Sequence, residues 1–371
     1  MTANGDRTAA MNDFLKVSGW GAAEQRPLPG DASTRRYIRL VMNGRTAMLM
    51  DQPQAAEAST ASANASAAER KALGYNVVAR LAGADCARFV AAAKYLRDAG
   101  LAAPEVQHAD IKNGFLILED LGDDLYADVL AADADAPTLY GAAIDALAAL
   151  HDSPAPSHLA ADKPLYPYDD VALLAETDLL TEWFLPEALQ RPLHDEERDE
   201  HRALWVSALS TLENSARVFV HRDYHAQNLL WLPQRERLAR VGMVDFQDAV
   251  AGSPAYDLIS LLEDARRDVD PALAAMMTDR YLMLRGPSVD EETFRMEAAL
   301  LAAQRNAKII GIFARLNARD GKPRYLSYLP RVWRYMARDL EHPSLAKLKA
   351  WYDRVIPPEH RKITAHQGDS L

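Results

Sequence analysis

The chain has 371 residues, 49% of them hydrophobic and 26% charged, with a formal net charge of −11 and a pI near 5.4. That length suits two lobes with a cleft between them, and the composition is that of a folded globular protein rather than a disordered one. The acidity repels phosphate backbones and anionic lipid, no basic patch offsets it, and no run of about 18 apolar residues is present to span a bilayer. The chain is therefore expected to be a cytoplasmic monomer without nucleic-acid or membrane partners. Cys86 is its only cysteine, which excludes an internal disulfide and a multi-thiolate zinc site and leaves a buried spectator thiol.

In chain order, MTANGDRTAAMNDFLKVSGW lacks the apolar core of a secretory signal and carries an amphipathic start from Phe14 to Trp20. Pro27, Pro29 and Gly30 then punctuate the chain before a strand-like run containing Tyr37, Ile38 and Leu40. Asn43-Gly44 stands between RLVM and TAMLM, and both residues tolerate the positive φ of a two-residue hairpin turn. QAAEASTASANASAAER, residues 54–70, has no large apolar residue and reads as a flexible insertion or a weak exposed helix without chemistry. Phe89, Val90, Ala93, Leu96 and Leu101 recur at helical spacing, with Gly100 where the helix should stop. Phe115 to Leu118 reads as a buried strand leading into Glu119-Asp120-Leu121-Gly122, the expected boundary between an N-lobe of residues 1–120 and a helical C-lobe of 121–371. Leu139, Ile144, Leu147 and Leu150 mark a helix ending near His151, and Ile309, Ile312, Phe313 and Leu316 mark another. Two short β-like runs, Val218 to Val220 and Val241 to Val244, interrupt the helical part.

Each of those runs leads into acidic residues. After the first comes His221-Arg222-Asp223-Tyr224-His225-Ala226-Gln227-Asn228, and Asp245 closes the second. Phosphoryl transfer needs a carboxylate beside the attacking hydroxyl and hard oxygen ligands for Mg²⁺ on the nucleotide phosphates. Asp223 meets the first need, while Asn228 and Asp245 meet the second. His221 and His225 are four apart but lack the glutamate of a zinc-protease motif, so zinc is not expected.

FVHRDYHAQNLLWL and VGMVDFQDAVAGSPAYDL resemble the catalytic and metal-binding signatures of the aminoglycoside/choline kinase superfamily. The resemblance implies an α+β, protein-kinase-like two-lobe fold, with a small antiparallel-sheet N-lobe and a larger, mostly helical C-lobe. It also implies ATP and Mg²⁺ as cofactors, Asp223 as base, Asn228 and Asp245 on the metal, His221 orienting the loop, and Asp257 supporting it or serving only its own helix start. Asp248, three residues after Asp245, reads as a supporting acid, a carboxylate for a second metal or a plain loop acid. GDASTRRYIRL, MLMDQP, FLILEDLGDDLY, ETDLLTEWFL and KIIGIFARLNARDGKPRYLSYLPRV narrow the resemblance to bacterial anomeric sugar kinases that phosphorylate N-acetylmuramate and N-acetylglucosamine at C1 during peptidoglycan recycling. The nucleotide is then expected against Gly30, Ser33, Arg35, Arg36, Glu119 and Leu121. The third strand of such a lobe usually carries a phosphate-holding lysine, which Ala47 to Asp51 lacks, so Arg35 or Arg36 is the candidate substitute unless both only decorate the surface. On the sugar side, Glu176, Asp178 and Trp183 could face hydroxyls and a ring, and Arg315, Lys322 and Tyr325 could receive a lactyl carboxylate. An exposed helix with a buried Trp, and charge at a helix end, are the plainer readings of the two groups. A kinase of another acceptor (aminoglycoside, choline or another sugar) and a non-catalytic nucleotide-binding module are the alternatives.

Overall fold

The computed structural model describes residues 3–29, 35–53, 61–62, 64–132 and 134–363. A five-stranded antiparallel sheet forms the first part, in the order β1 (Glu24–Pro27), β2 (Arg36–Met42), β3 (Arg45–Asp51), β5 (Phe115–Leu118) and β4 (Val106–Asp110). The β2–β3 hairpin turns on Asn43 and Gly44, whose φ angles of 52° and 73° are the pair of positive values such a turn requires. β4 has no counterpart among the strands expected from the sequence, because its exposed Gln107, His108 and Ala109 give it no apolar pattern.

Both faces of this sheet are covered, which is why its central strands read as unbroken apolar runs. Leu49, Phe115 and Ile117 point toward α1 (Ala3–Val17), meeting Leu15 and Trp20, and Phe14 stacks on Phe115 at 5.8 Å. Met50, Leu116 and Leu118 alternate to the other face and join the main core with α4 (Cys86–Asp98). Gly100, at φ 79°, ends that helix. Between β3 and α4 lie α2 (Ala67–Ala72) and α3 (Tyr75–Val78). Residues 54–60 and 63 of the Ala/Ser-rich stretch lie outside the described residues, but its downstream end is anchored. Ser66 and Glu69 form a reciprocal cap on α2, and buried Arg70 holds Asp169 at 2.6 and 3.0 Å.

The remainder is mainly helical: α5 (Tyr126–Ala131), α6 (Ala136–Leu150), α7 (Asp170–Leu179), α8 (Leu185–Leu189), α9 (Asp195–Leu209), α10 (Ala255–Leu262), α11 (Pro271–Arg285), α12 (Glu291–Ala318), α13 (Leu329–Asp339) and α14 (Ala346–Val355). Three strand pairs sit within it: β6 (His158–Ala160) with β7 (Lys163–Pro164), β8 (Val218–Val220) with β11 (Val250–Gly252), and β9 (Leu229–Trp231) with β10 (Val241–Met243). α12, the longest helix, packs on α7 and on the π-helical turn Leu180–Phe184 that follows it. Gly311 permits that approach: a Cβ there would stand 2.4 Å from the Leu179 carbonyl carbon. No helix among the described residues is long and apolar enough to cross a membrane.

Gly311→Ala should therefore cost about 2 kcal/mol or more, since the clash is with backbone rather than a flexible side chain. A thermal unfolding curve indistinguishable from wild type would remove this packing argument.

Candidate active site

Two loops face each other because of how four short strands pair. β8 runs into residues 221–228, which return as β9, and β10 runs into residues 244–249, which return as β11. Val220 pairs with Val250 and Leu229 with Met243, so each loop begins beside the end of the other. The Val244 N–H donates to the Asn228 carbonyl at 3.0 Å. Asp223, Asn228 and Asp245 thus share one mouth. Each is half-buried, while His221, Tyr224, Ala226 and Phe246 around them are sealed.

The first loop is held from beneath by Asp257, in the first turn of α10. Its carboxylate accepts the His221 N–H at 2.6 Å and the Arg222 N–H at 2.7 Å. Asp257 therefore holds the 221–228 loop as well as standing at its own helix start. Arg222 has a φ of 79°, a left-handed backbone that costs a non-glycine residue roughly 1–3 kcal/mol. Beyond the Asp257 bond, its buried guanidinium is bound to Glu176 and lies 4.8 Å from the Tyr168 ring centre. The His221 ring packs edge-on against Tyr224 and Phe246 and so links the two loops.

Asp223 accepts no side-chain or backbone hydrogen bond through its carboxylate among the described residues, which leaves it open to a hydroxyl. Burial pushes its pKa up, yet Lys308 foremost, with His225 and Arg222, outweighs that and holds the carboxyl below its ordinary value. Asn228 donates its amide nitrogen to the Asp223 carbonyl at 3.0 Å, so its amide oxygen is the donor left for a cation. Asp245, at φ 65°, a conformation aspartate tolerates better than most residues, takes Gln247 Nε2 at 3.0 Å and Arg35 at 3.1 Å on one oxygen. Its other oxygen is unpartnered among the described residues. An amide oxygen and a carboxylate oxygen are the hard donors Mg²⁺ prefers.

The other expected residues divide clearly. Arg35 reaches the second loop, where it also donates to Gln247 at 2.5 Å. Arg36 does not, because it turns to Asp51 at 2.5 Å, which Arg7 also holds. Gly30 and Ser33 lie outside the described residues. Glu119 pairs with Arg235 at 2.5 Å, and Leu121 packs with Ala102, Leu230 and Leu232. Asp248 accepts the Ala82 N–H at 2.5 Å and so ties the segment after α3 to the 244–249 loop.

Glu176, expected to face a sugar, is fully buried instead. Tyr168 donates to it at 2.5 Å and Gln304 at 2.9 Å, while Arg222 and Lys308 neutralise it. Burial alone would raise its pKa, but the two cations and these bonds bring it down to about 2. Asp178 is paired with Arg202, and Trp183 rests half-buried on the core. Tyr325 is also sealed, between Phe313 and Tyr328, and Lys322 lies past the end of α12, about 15 Å or more along the axis from Lys308. Only Arg315 of that trio lies on the stretch of α12 near Lys308. Lys308 was missed by the sequence reading; the signal that could have found it is a cation set directly among Ala307, Ile309 and Ile310, where burial calls for a charged partner.

The chain belongs to the phosphotransferase enzyme family, whose model matches residues 24–298. Among its relatives, the N-acetylmuramate/N-acetylglucosamine kinase of Caulobacter vibrioides is 47% identical over 365 residues, covering 98% of this chain and 100% of that protein. The kinase of the same name from Pseudomonas aeruginosa is 33% identical over 92% of each chain. An ADP-bound aminoglycoside phosphotransferase shares the fold with a TM-score of 0.54 at 16% identity, covering 94% of this chain and 99% of that one. So does a choline kinase of Streptococcus pneumoniae, with a TM-score of 0.53 at 15% identity and coverage of 88% and 100%. The α+β two-part architecture and the phosphotransferase class agree with the expectations drawn from the sequence.

Two substitutions test the site. Asp257→Asn keeps the shape but replaces one acceptor oxygen by a donor, leaving a buried N–H unpaired at a cost of about 1–3 kcal/mol; stability and turnover should fall together. Lys308→Met removes the cation that offsets burial at Asp223, so the Asp223 pKa should rise. With Asp223 as the expected base, which must be ionised to work, the acidic limb of the kcat/KM profile should move to higher pH, and a stationary limb would show that Lys308 does not act on Asp223 or that Asp223 is not the base.

Proposed function

We propose that the protein is a cytoplasmic, monomeric, Mg-ATP-dependent anomeric kinase that phosphorylates N-acetylmuramate, N-acetylglucosamine or both at C1, giving the α-1-phosphate for peptidoglycan recycling. The observation that carries the reading is the Asp223 carboxylate, ionised, half-buried and without a hydrogen bond from any of the described residues, at the mouth shared with Asn228 and Asp245. The acceptor is supported by the names and coverage of the relatives. The lobes are taken to meet near residues 120 and 121.

In this reading Asp223 accepts the proton of the C1 hydroxyl as that oxygen bonds to the γ-phosphorus and the bond from phosphorus to the β,γ-bridging oxygen breaks, releasing ADP. Asn228 and Asp245 would hold Mg²⁺, which when bound would neutralise charge on the phosphates. Arg35 supplies the cation that β3 lacks, within reach of the metal loop. Asp257 and Glu176 fix the loop so that Asp223 needs no reorganisation at the moment of transfer. Glu119 and Leu121, with Gly30 and Ser33, are assigned to the nucleotide.

Incubation with Mg-ATP and either sugar should give an acid-labile product whose phosphorus NMR signal carries the coupling of a C1 phosphate; a ring-hydroxyl phosphate, or none, would redirect the assignment. Asp223→Asn should lower kcat by about 10²–10⁴-fold while ATP binding persists. A protein that binds ATP but never turns over either sugar would instead be a binding module.

A further inference from the structure

Among the described residues Arg315 is a guanidinium without an ion-pair partner. It stands seven residues beyond Lys308 on α12, two turns along the same helix face and about 10 Å away. It is half-buried, its Nε is sealed from solvent without an acceptor, and no carboxylate among the described residues forms an ion pair with it. Glu182 and Asp320 feel its charge but do not reach it. A guanidinium partly stripped of water is costly unless an anion takes its fork.

The surface beneath it is built rather than incidental. The Arg315 guanidinium carbon lies 5.2 Å from the centre of the Tyr75 ring on α3. Burial, then Glu176, pushes the Tyr75 hydroxyl up to about 12, against the opposing pull of Lys308, Arg222 and Arg315. The same ring that carries Arg315 therefore also feels the charges of Glu176, Lys308 and Arg222. α3 is pinned on both sides, upstream by Arg70 on Asp169 and downstream by the Ala82 N–H on Asp248. Gly311, midway between Lys308 and Arg315, lets this stretch of α12 sit directly against the end of α7.

We infer that Arg315, stacked on Tyr75, forms a carboxylate subsite of the acceptor pocket that reads the lactyl group carried by N-acetylmuramate and absent from N-acetylglucosamine. The inference rests on the hexosamine-kinase reading above. With C1 at Asp223, the 3-O-lactyl ether extends along α12 toward Arg315, whose planar fork suits a carboxylate. A polar group built to meet a substrate charge discriminates strongly against the analogue that lacks it.

The test is kcat/KM with Mg-ATP on both sugars for wild type, Arg315→Ala, Arg315→Lys and Tyr75→Leu. The ratio for N-acetylmuramate over N-acetylglucosamine should fall about 10- to 100-fold in Arg315→Ala, the loss of one charge-assisted interaction, and chiefly through KM. Arg315→Lys keeps charge without the fork and should restore part of the ratio, and Tyr75→Leu should lower it several-fold. A ratio that stays put, whether both sugars lose equally or neither does, overturns the subsite and leaves the kinase reading standing. Wild type acting on N-acetylglucosamine alone has the same meaning, whereas no turnover of either sugar overturns both.

Discussion

The site depends on one constraint, the register of four three-residue strands. β8 with β11 and β9 with β10 form two antiparallel pairs whose intervening loops open at a common edge. A slip of one residue in either pair would turn the side chains to the opposite face and carry Asp245 away from Asn228. Such short strands cannot hold register alone. Burial does it for them, since Val218, Phe219, Val220, Val241, Met243 and Val250 are all sealed in the main core, and Met243 N–H is further fixed by the Ala102 carbonyl at 2.7 Å.

Around that edge three of the acidic groups lie beside or in the field of a cation. Glu176 meets Arg222 and Lys308, Asp245 meets Arg35, and Asp223 lies in the field of Lys308. Taking such charges out of water is expensive, and well-packed apolar residues could hold the same elements together as firmly. What the ionic arrangement adds is placement. It keeps the strained Arg222 backbone in one conformation and lets an acidic protein gather carboxylates at one edge without their repelling one another.

Local features were readable from the sequence and tertiary ones were not. Asn43-Gly44 announces its turn because positive φ is a property of those two residues, and the octet from His221 to Asn228 is a contiguous segment whose spacing survives folding. Glu176 misled because nothing local reveals that a carboxylate on an amphipathic helix has four partners from Tyr168, Arg222, Gln304 and Lys308, which are scattered over 140 residues of chain. The same holds for Tyr325, whose ring is in the core, and for Arg70, which anchors a stretch that looks featureless. Gly311 reads as a weak point in a helix until Leu179 is seen against it.

The lone thiol gives this architecture a built-in gauge. Cys86 is buried in the first turn of α4, where burial pushes it up to about 11, and Phe89, one turn on, packs 4.8 Å from Phe246 beside Asp245. While α4 stays seated, an alkylating reagent finds neither access nor thiolate. Mass labelling of the unaltered chain would therefore time how often that helix lifts from the 244–249 loop.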